Sequence, residues 1–192
     1  MTTDRETGQG LTLTKLTPEL QSALIEMASE YHAAGEKRYL SITPDMDWES
    51  YTALLRRLEA EARDEDLPPG RVPQSVFWLV RDGHTLLGAS RLRHRLTPLL
   101  EQDGGHITYG IRPAERGKGY GTRLLALTLE KAREIGMTRV LLTCEEDNLP
   151  SLRVIEKNGG KLIDQTRSSA RGKVIRRYWI DLDKRKPQQE NE

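Results

Sequence analysis

Hydrophobic positions change period several times along the chain, and each change marks an element. Leu11-Thr-Leu-Thr-Lys-Leu16 alternates with period two, which predicts a short half-buried strand. Thr17-Pro18 then predicts a helix start, Thr17 as N-cap and Pro18 in the first turn. Leu20, Leu24, Met27 and Tyr31 continue at helical spacing. A second helix is predicted from about Asp47 to Arg63, with Trp48, Tyr51, Leu54, Leu55 and Leu58 on its inner side. Pro68, Pro69, Gly70 and Pro73 make the following segment a loop. Two β-rich runs, Ser75–Arg81 and His84–Leu96, flank Asp82-Gly83, so a hairpin turns there.

A loop through Asp103, Gly104 and Gly105 leads to a strand at His106–Ile111, a glycine-rich turn and a helix to about Gly136. A strand at Arg139–Cys144, a helix at about Pro150–Lys157 and strands near Lys161–Thr166 and Lys173–Leu182 complete the pattern. The order β-α-α-β-β-β-α-β-α-β-β predicts a single α/β domain with a mixed sheet. The length of 192 residues fits one such domain. Its boundaries are read as 11–182, between polar stretches at 1–10 and 183–192 expected to be flexible tails.

Thirty basic residues nearly balance twenty-nine acidic ones, for a formal charge of +1, which argues against a general nucleic-acid binder. No apolar run approaches the roughly 20 residues of a membrane span, and Met1–Glu6 lacks the pattern of a secretory signal. The single Cys144 excludes an internal disulfide framework, so a reducing cytoplasm is the expected compartment.

The chemistry concentrates at Arg116-Gly-Lys-Gly-Tyr-Gly121, between a strand and an apolar-faced helix. Alternate glycines leave backbone N–H groups unobstructed, and a helix N-terminus adds partial positive charge. Arg116 and Lys118 add full charges, so the turn suits a pyrophosphate. The spacing matches neither the nucleoside-triphosphate loop GxxxxGK[ST] nor the dinucleotide fingerprint GxGxxG.

Arg116-x-x-Gly119-x-Gly121 resembles the R/Q-x-x-G-x-G/A motif of the GNAT N-acetyltransferase superfamily. The resemblance covers about residues 75–181 and is most specific from His106 to Gly160. It implies a GNAT-like fold, a mostly antiparallel mixed sheet flanked by helices. Arg93–Leu96, Gly104–Ile107, Leu142–Cys144 and Arg177–Ile180 further resemble a group of bacterial acetyltransferases whose acceptor is unassigned. The implied activity is direct acetyl transfer from acetyl-CoA to a primary amine in a ternary complex, with no metal. The implied acceptor is a small-molecule or peptide amine, and a homodimer is compatible with the reading. A catalytically idle acyl-CoA-binding sensor and an interaction protein are the alternatives.

By the same resemblance, the strand around Tyr109–Ile111 pairs with the pantetheine arm, and a main-chain N–H near Ile111 polarises the thioester carbonyl. Arg116, Gly117, Lys118, Gly119, Tyr120, Gly121 and Thr122 hold the pyrophosphate. Asn148 reaches the pantetheine amide with Ser151 nearby, although both also suit helix capping around Pro150. The chain departs from the family pattern at Ile155, where many relatives carry a proton-donating tyrosine. Tyr178 is the alternative donor, on a late strand expected near the acceptor. The base position is likewise altered. His106 is a candidate base, since its ordinary pKa near ~6.5 suits the task, with Tyr109 and Glu145 as further proton-transfer candidates. Glu146 beside Glu145 reads as solvated charge, and Cys144 as a structural apolar residue rather than a nucleophile. Arg91, Arg93 and Arg95 alternate along one strand, which suits either a solvated face or recognition of an anionic acceptor. Asp45, Asp47 and Glu49 open the second helix, a group that suits attraction of a cationic amine, although the helix dipole alone accounts for acids there.

Overall fold

In a computed structural model, the described residues are 10–65, 67–168 and 172–182. The two expected tails lie outside them, apart from Gly10. The element order is β1 (Leu11–Thr14), α1 (Gln21–Ala33), α2 (Trp48–Arg63), β2 (Gln74–Arg81), β3 (Thr85–Arg93), α3 (Pro98–Gln102), β4 (Ile107–Ile111), α4 (Tyr120–Glu134), β5 (Arg139–Glu145), α5 (Leu149–Lys157), β6 (Lys161–Arg167) and β7 (Val174–Asp181).

The strands form two antiparallel sheets. β1-β2-β3-β4 is one, and β5-β7-β6 is the other. Asp82 and Gly83 both adopt positive φ, at 53° and 76°, as the two-residue β2–β3 turn requires. The first sheet is covered on both faces. Trp78, Val80, Leu86 and Ala89 pack against Leu20, Leu24, Met27 and Tyr31 of the α1 region and Tyr51 of α2. On the opposite face Leu79 and Leu87 meet Leu124 of α4. A third cluster joins Leu92 and Ile107 to Leu125 and Leu129 of α4, to Val140 and Leu142 of β5, and to Tyr178 and Ile180 of β7. That cluster couples the two sheets.

Three local expectations meet a different geometry. Thr17 makes no side-chain cap, because Pro18–Leu20 forms a 3-10 turn before α1 begins. Trp48 is 54% exposed, since it sits at the first turn of α2, where Asp47 caps the helix by accepting from the Ser50 N–H at 2.8 Å. The short helix α3 was read as loop; Thr97 caps it by accepting from the Leu100 N–H at 3.3 Å. Among the described residues no helix is long and apolar enough to cross a membrane.

Candidate active site

β4 lies at the edge of the first sheet, and its hydrogen-bond phase determines what its outer side offers. Arg93 N–H donates to His106 O at 2.7 Å, and Arg112 N–H donates to Leu87 O at 2.9 Å. Antiparallel pairs alternate between bonded and unbonded, so in the register Gly88↔Ile111 and Ser90↔Tyr109 the N–H groups of Tyr109 and Ile111 turn away from β3. They point to the side where a cleft of about 640 Å³ opens between β4, α4 and α5.

The start of α4 forms the floor of that cleft. Gly117 and Gly119 have φ of 77° and 85°, a left-handed conformation that a side chain resists, and an added Cβ at either would meet open space. Gly119 is the N-cap; its carbonyl accepts from the Thr122 and Arg123 N–H groups. The N–H groups from Gly117 to Gly121 donate to no protein acceptor among the described residues. Gly121 is small for a different reason. A Cβ there would stand 3.3 Å from Val154 Cγ2, so glycine lets α4 close on α5.

The cleft gathers most of the predicted donor residues. Tyr109, Ile111, Arg116, Gly117, Gly119, Tyr120, Gly121, Thr122, Asn148 and Ser151 all line it. Asn148 also caps α5, accepting from the Ser151 N–H at 3.2 Å. Ser151 Oγ lies 2.8 Å from Tyr109 Oη, and burial raises the Tyr109 pKa. Lys118 is not in the lining; its Nζ donates to Glu115 at 3.0 Å. Arg116 is paired too, with Glu36 at 2.6 Å, and its Nε donates to Ile111 O at 3.0 Å. Both full charges expected to attract an anion are thus matched by carboxylates. The free N–H groups and the helix terminus remain.

Three other expected proton-transfer groups stand apart from the cleft. His106 Nδ1 accepts from the Leu141 N–H at 2.9 Å, and the ring sits 6.2 Å from that of Trp179. Burial, with Arg93 nearby, lowers its pKa to about 4. This bond turns Nδ1 of the candidate base toward β5. Tyr178 is 2% exposed within the cluster that joins the sheets, not at a cleft, because its position on β7 faces Leu142. Glu145 ion-pairs with Lys173 and lines no cavity of the site. Cys144 is buried, and its thiol donates to Glu145 O at 3.4 Å. Ile155, at the family's tyrosine position, is a core residue 1% exposed.

Sequence reasoning missed Tyr31. Its ring lies in the cleft wall, between the guanidinium groups of Arg38 and Arg116 at 5.8 and 5.6 Å from the ring centroid. The hydroxyl is buried and makes no hydrogen bond of normal geometry, with the Arg116 guanidinium near enough to act on it. It would lie 3.3 Å from a Cβ on Gly110. Burial pushes its pKa up to about 12. The sequence showed only a helical apolar position. Arg38 was missed as well; it lines this cleft and a second cavity of about 720 Å³ between the α1–α2 loop, α2 and β3.

Two antiparallel sheets joined through one core, with a cleft at the edge strand and a glycine-capped helix start at its floor, define an acetyltransferase-type α/β domain. The model of the acetyltransferase (GNAT) family matches residues 41–160, more than half of the chain, so the chain belongs to that family. Among solved structures, it is similar to a yncA acetyltransferase from Salmonella typhimurium with acetyl-CoA, at TM-score 0.58 and 16% identity, covering 95% of this chain and 100% of that one. It is also similar to RimJ from Mycobacterium smegmatis in complex with a CoA disulfide, at TM-score 0.65 and 18% identity, over 93% and 84% of the chains. The ribosomal-protein-S5-alanine acetyltransferase of Vibrio fischeri aligns at TM-score 0.67 and 14% identity, over 93% and 97%. No curated protein matches the sequence.

Proposed function

We propose that the protein transfers the acetyl group of acetyl-CoA directly to a primary amine, with both substrates bound together. The observation that carries this reading is the run of unpaired N–H groups from Gly117 to Gly121 at the floor of the cleft that the Ile111 N–H also faces. Those groups fit a pyrophosphate, and the outer edge of β4 fits an amide-bearing arm, as a pantetheine chain is. The bound co-substrate supplies an activated thioester carbonyl. Ile111 N–H donates to its oxygen as charge develops there. Asn148 and Ser151 bound the arm on the α5 side.

Tyr31 keeps its proton at neutral pH and presents it beside Gly110, as a donor toward the departing sulfur. A thiolate with a reference pKa near ~8.5 needs only modest help to leave. The acceptor enters from the second cavity, which meets the cleft at Arg38. The main work of the protein is to hold the amine against the carbonyl and exclude water. We place it in the cytoplasm, with residues 11–182 acting as one domain.

Gly119→Val is expected to weaken CoA binding by at least tenfold, about 1.4 kcal/mol, because a side chain opposes the left-handed cap. Calorimetry on a folded variant with unchanged affinity would remove the cradle from the donor site. The buried Ile155 at the tyrosine position favours an idle sensor as the second reading. Release of free thiol from acetyl-CoA over a panel of amines separates the two.

A further inference from the structure

The second cavity has an unusual charge. Lys37, Arg38, Arg57, Arg91 and Arg93 line it, and no aspartate or glutamate does. The whole chain is nearly neutral at +1, so this is a local concentration of cations rather than a share of a general excess. The adjoining donor cleft differs, since Glu36 and Glu115 stand there beside the basic groups.

Most of these cations lack a protein counter-charge. Arg57 has Glu61 at 4.0 Å, but Lys37, Arg38, Arg91 and Arg93 form no ion pair among the described residues. Arg93 donates only to the neutral carbonyls of Gly104 and Gly105, at 3.3 and 2.9 Å. Its pKa is lowered by burial and then by Arg91, the signature of like charges held close together. Trp78, which lines the same cavity at 3% exposure, buries an indole N–H with no acceptor. A cavity of about 720 Å³ walled by five basic side chains and no carboxylate is completed by a molecule rich in acceptors.

We propose that the acceptor is an anionic amine, a molecule that carries a carboxylate or phosphate as well as the amino group, and that Lys37, Arg91 and Arg93 seat its anionic end. This rests on the adjoining cleft being the acetyl-CoA site. The wall does a second thing for the reaction. A cationic surround disfavours the ammonium form of the bound amine, so its proton passes to water before attack, without a dedicated basic side chain. The neutral nitrogen then forms the C–N bond as the C–S bond breaks and its electron pair leaves on sulfur; the nitrogen gives up its surplus proton to water, and the sulfur takes one from Tyr31 or water, so that a neutral amide and a thiol result. Polycationic amines are rejected by the same field.

Thiol release with acetyl-CoA is measured for glucosamine 6-phosphate against glucosamine, 4-aminobutyrate against butylamine, and spermidine. Calorimetry measures binding of the two anionic amines with and without CoA. The expected result is a preference of about tenfold or more in kcat/KM for the charged member of at least one pair, weakening with salt. The two pairs separate phosphate from carboxylate recognition. Lys37→Gln with Arg91→Gln, both on exposed residues, should raise KM for that member far more than for its neutral counterpart and leave CoA affinity unchanged. CoA binding together with equal or better turnover of glucosamine, butylamine or spermidine would overturn the proposal. So would CoA binding with neither anionic amine bound or acetylated. Binding of an anionic amine without any CoA affinity would keep the anion site and sink the acetyl-transfer reading instead.

Discussion

Tyr31 places a buried hydroxyl without a well-formed hydrogen bond in the wall of the cleft beside Arg116, and a poorly met donor in such a place costs stability unless something else uses it. Tyr31→Phe keeps the ring that packs in the α1 core and removes only the oxygen. Turnover should fall about 10- to 100-fold with CoA affinity unchanged, and wild-type turnover would exclude the hydroxyl from the reaction. Tyr109→Phe should do less, because that hydroxyl already bonds Ser151. His106 calls for a different measurement. Its folded-state pKa of about 4 lies below an unfolded value of ~6.5, so the unfolded chain takes up the proton first as pH falls. Stability is therefore full above about pH 6.5 and declines toward pH 4. Urea unfolding at pH 7.5 and 4.5 should show this loss, and His106→Gln should shrink it; an equal loss in the variant would place the titration elsewhere. Residue identities in the glycine turn were readable from spacing because backbone conformation restricts them. The roles of Tyr31, Arg38 and His106 depend on which atoms meet across the fold, and periodicity carries no such information.

The elements came through the sequence well wherever a strong period met a recognisable stop. The β2–β3 turn was readable from Asp82-Gly83, and the end of α4 from Gly136, whose φ is 84°. Trp48 counted toward the apolar stripe of α2, but a residue at a helix start has only one side of its turn packed, and it rests on the Tyr51 ring at 6.0 Å. α3 is too short to show a period. The α1–α2 connection matters most for the site. Lys37–Ile42 lines the second cavity, and Tyr39 sits at φ 59°, uncommon for an aromatic residue. Its carbonyl lies 3.1 Å from His32 Nε2, which helps hold that turn. The loop ends where Asp47 caps α2. Asp47→Ala should cost about 1 kcal/mol by urea denaturation and raise the acceptor KM more than it affects CoA binding. An unaltered midpoint would mean that packing of Tyr51 alone sets the start of α2.

At the scale of the molecule, the site exists because α1 and its following loop are held against one face of the first sheet, α4 against its other face, and α5 against α4 and β5. The core that joins the sheets, from Leu92 and Ile107 to Tyr178, fixes one side of that arrangement. The other side turns on Arg112, the residue that follows β4. It is 4% exposed, and its guanidinium donates to Leu86 O at 3.1 Å, to Glu26 at 2.8 Å and to Glu30. One buried cation thus ties α1 to β3 just past the point where the two cavities meet. Nothing local in Ile111-Arg112-Pro113 announced this, since both carboxylates belong to a helix far away in sequence. Arg112→Met keeps most of the side-chain volume but leaves Leu86 O and Glu30 without their donor. Because the carboxylates are partly exposed, water recovers some of the loss, and the expected cost is about 2–3 kcal/mol. For a domain of this size that corresponds to a melting temperature lower by roughly 5–10 °C. The same change should raise KM for both substrates, because Tyr31, Glu36 and Arg38 depend on the position of α1 and its loop. Arg112→Lys, which retains a charge for Glu30, should recover part of both effects. An unchanged melting temperature in Arg112→Met would show that apolar packing of Leu24, Met27 and Ala28 holds α1 without the ion pair.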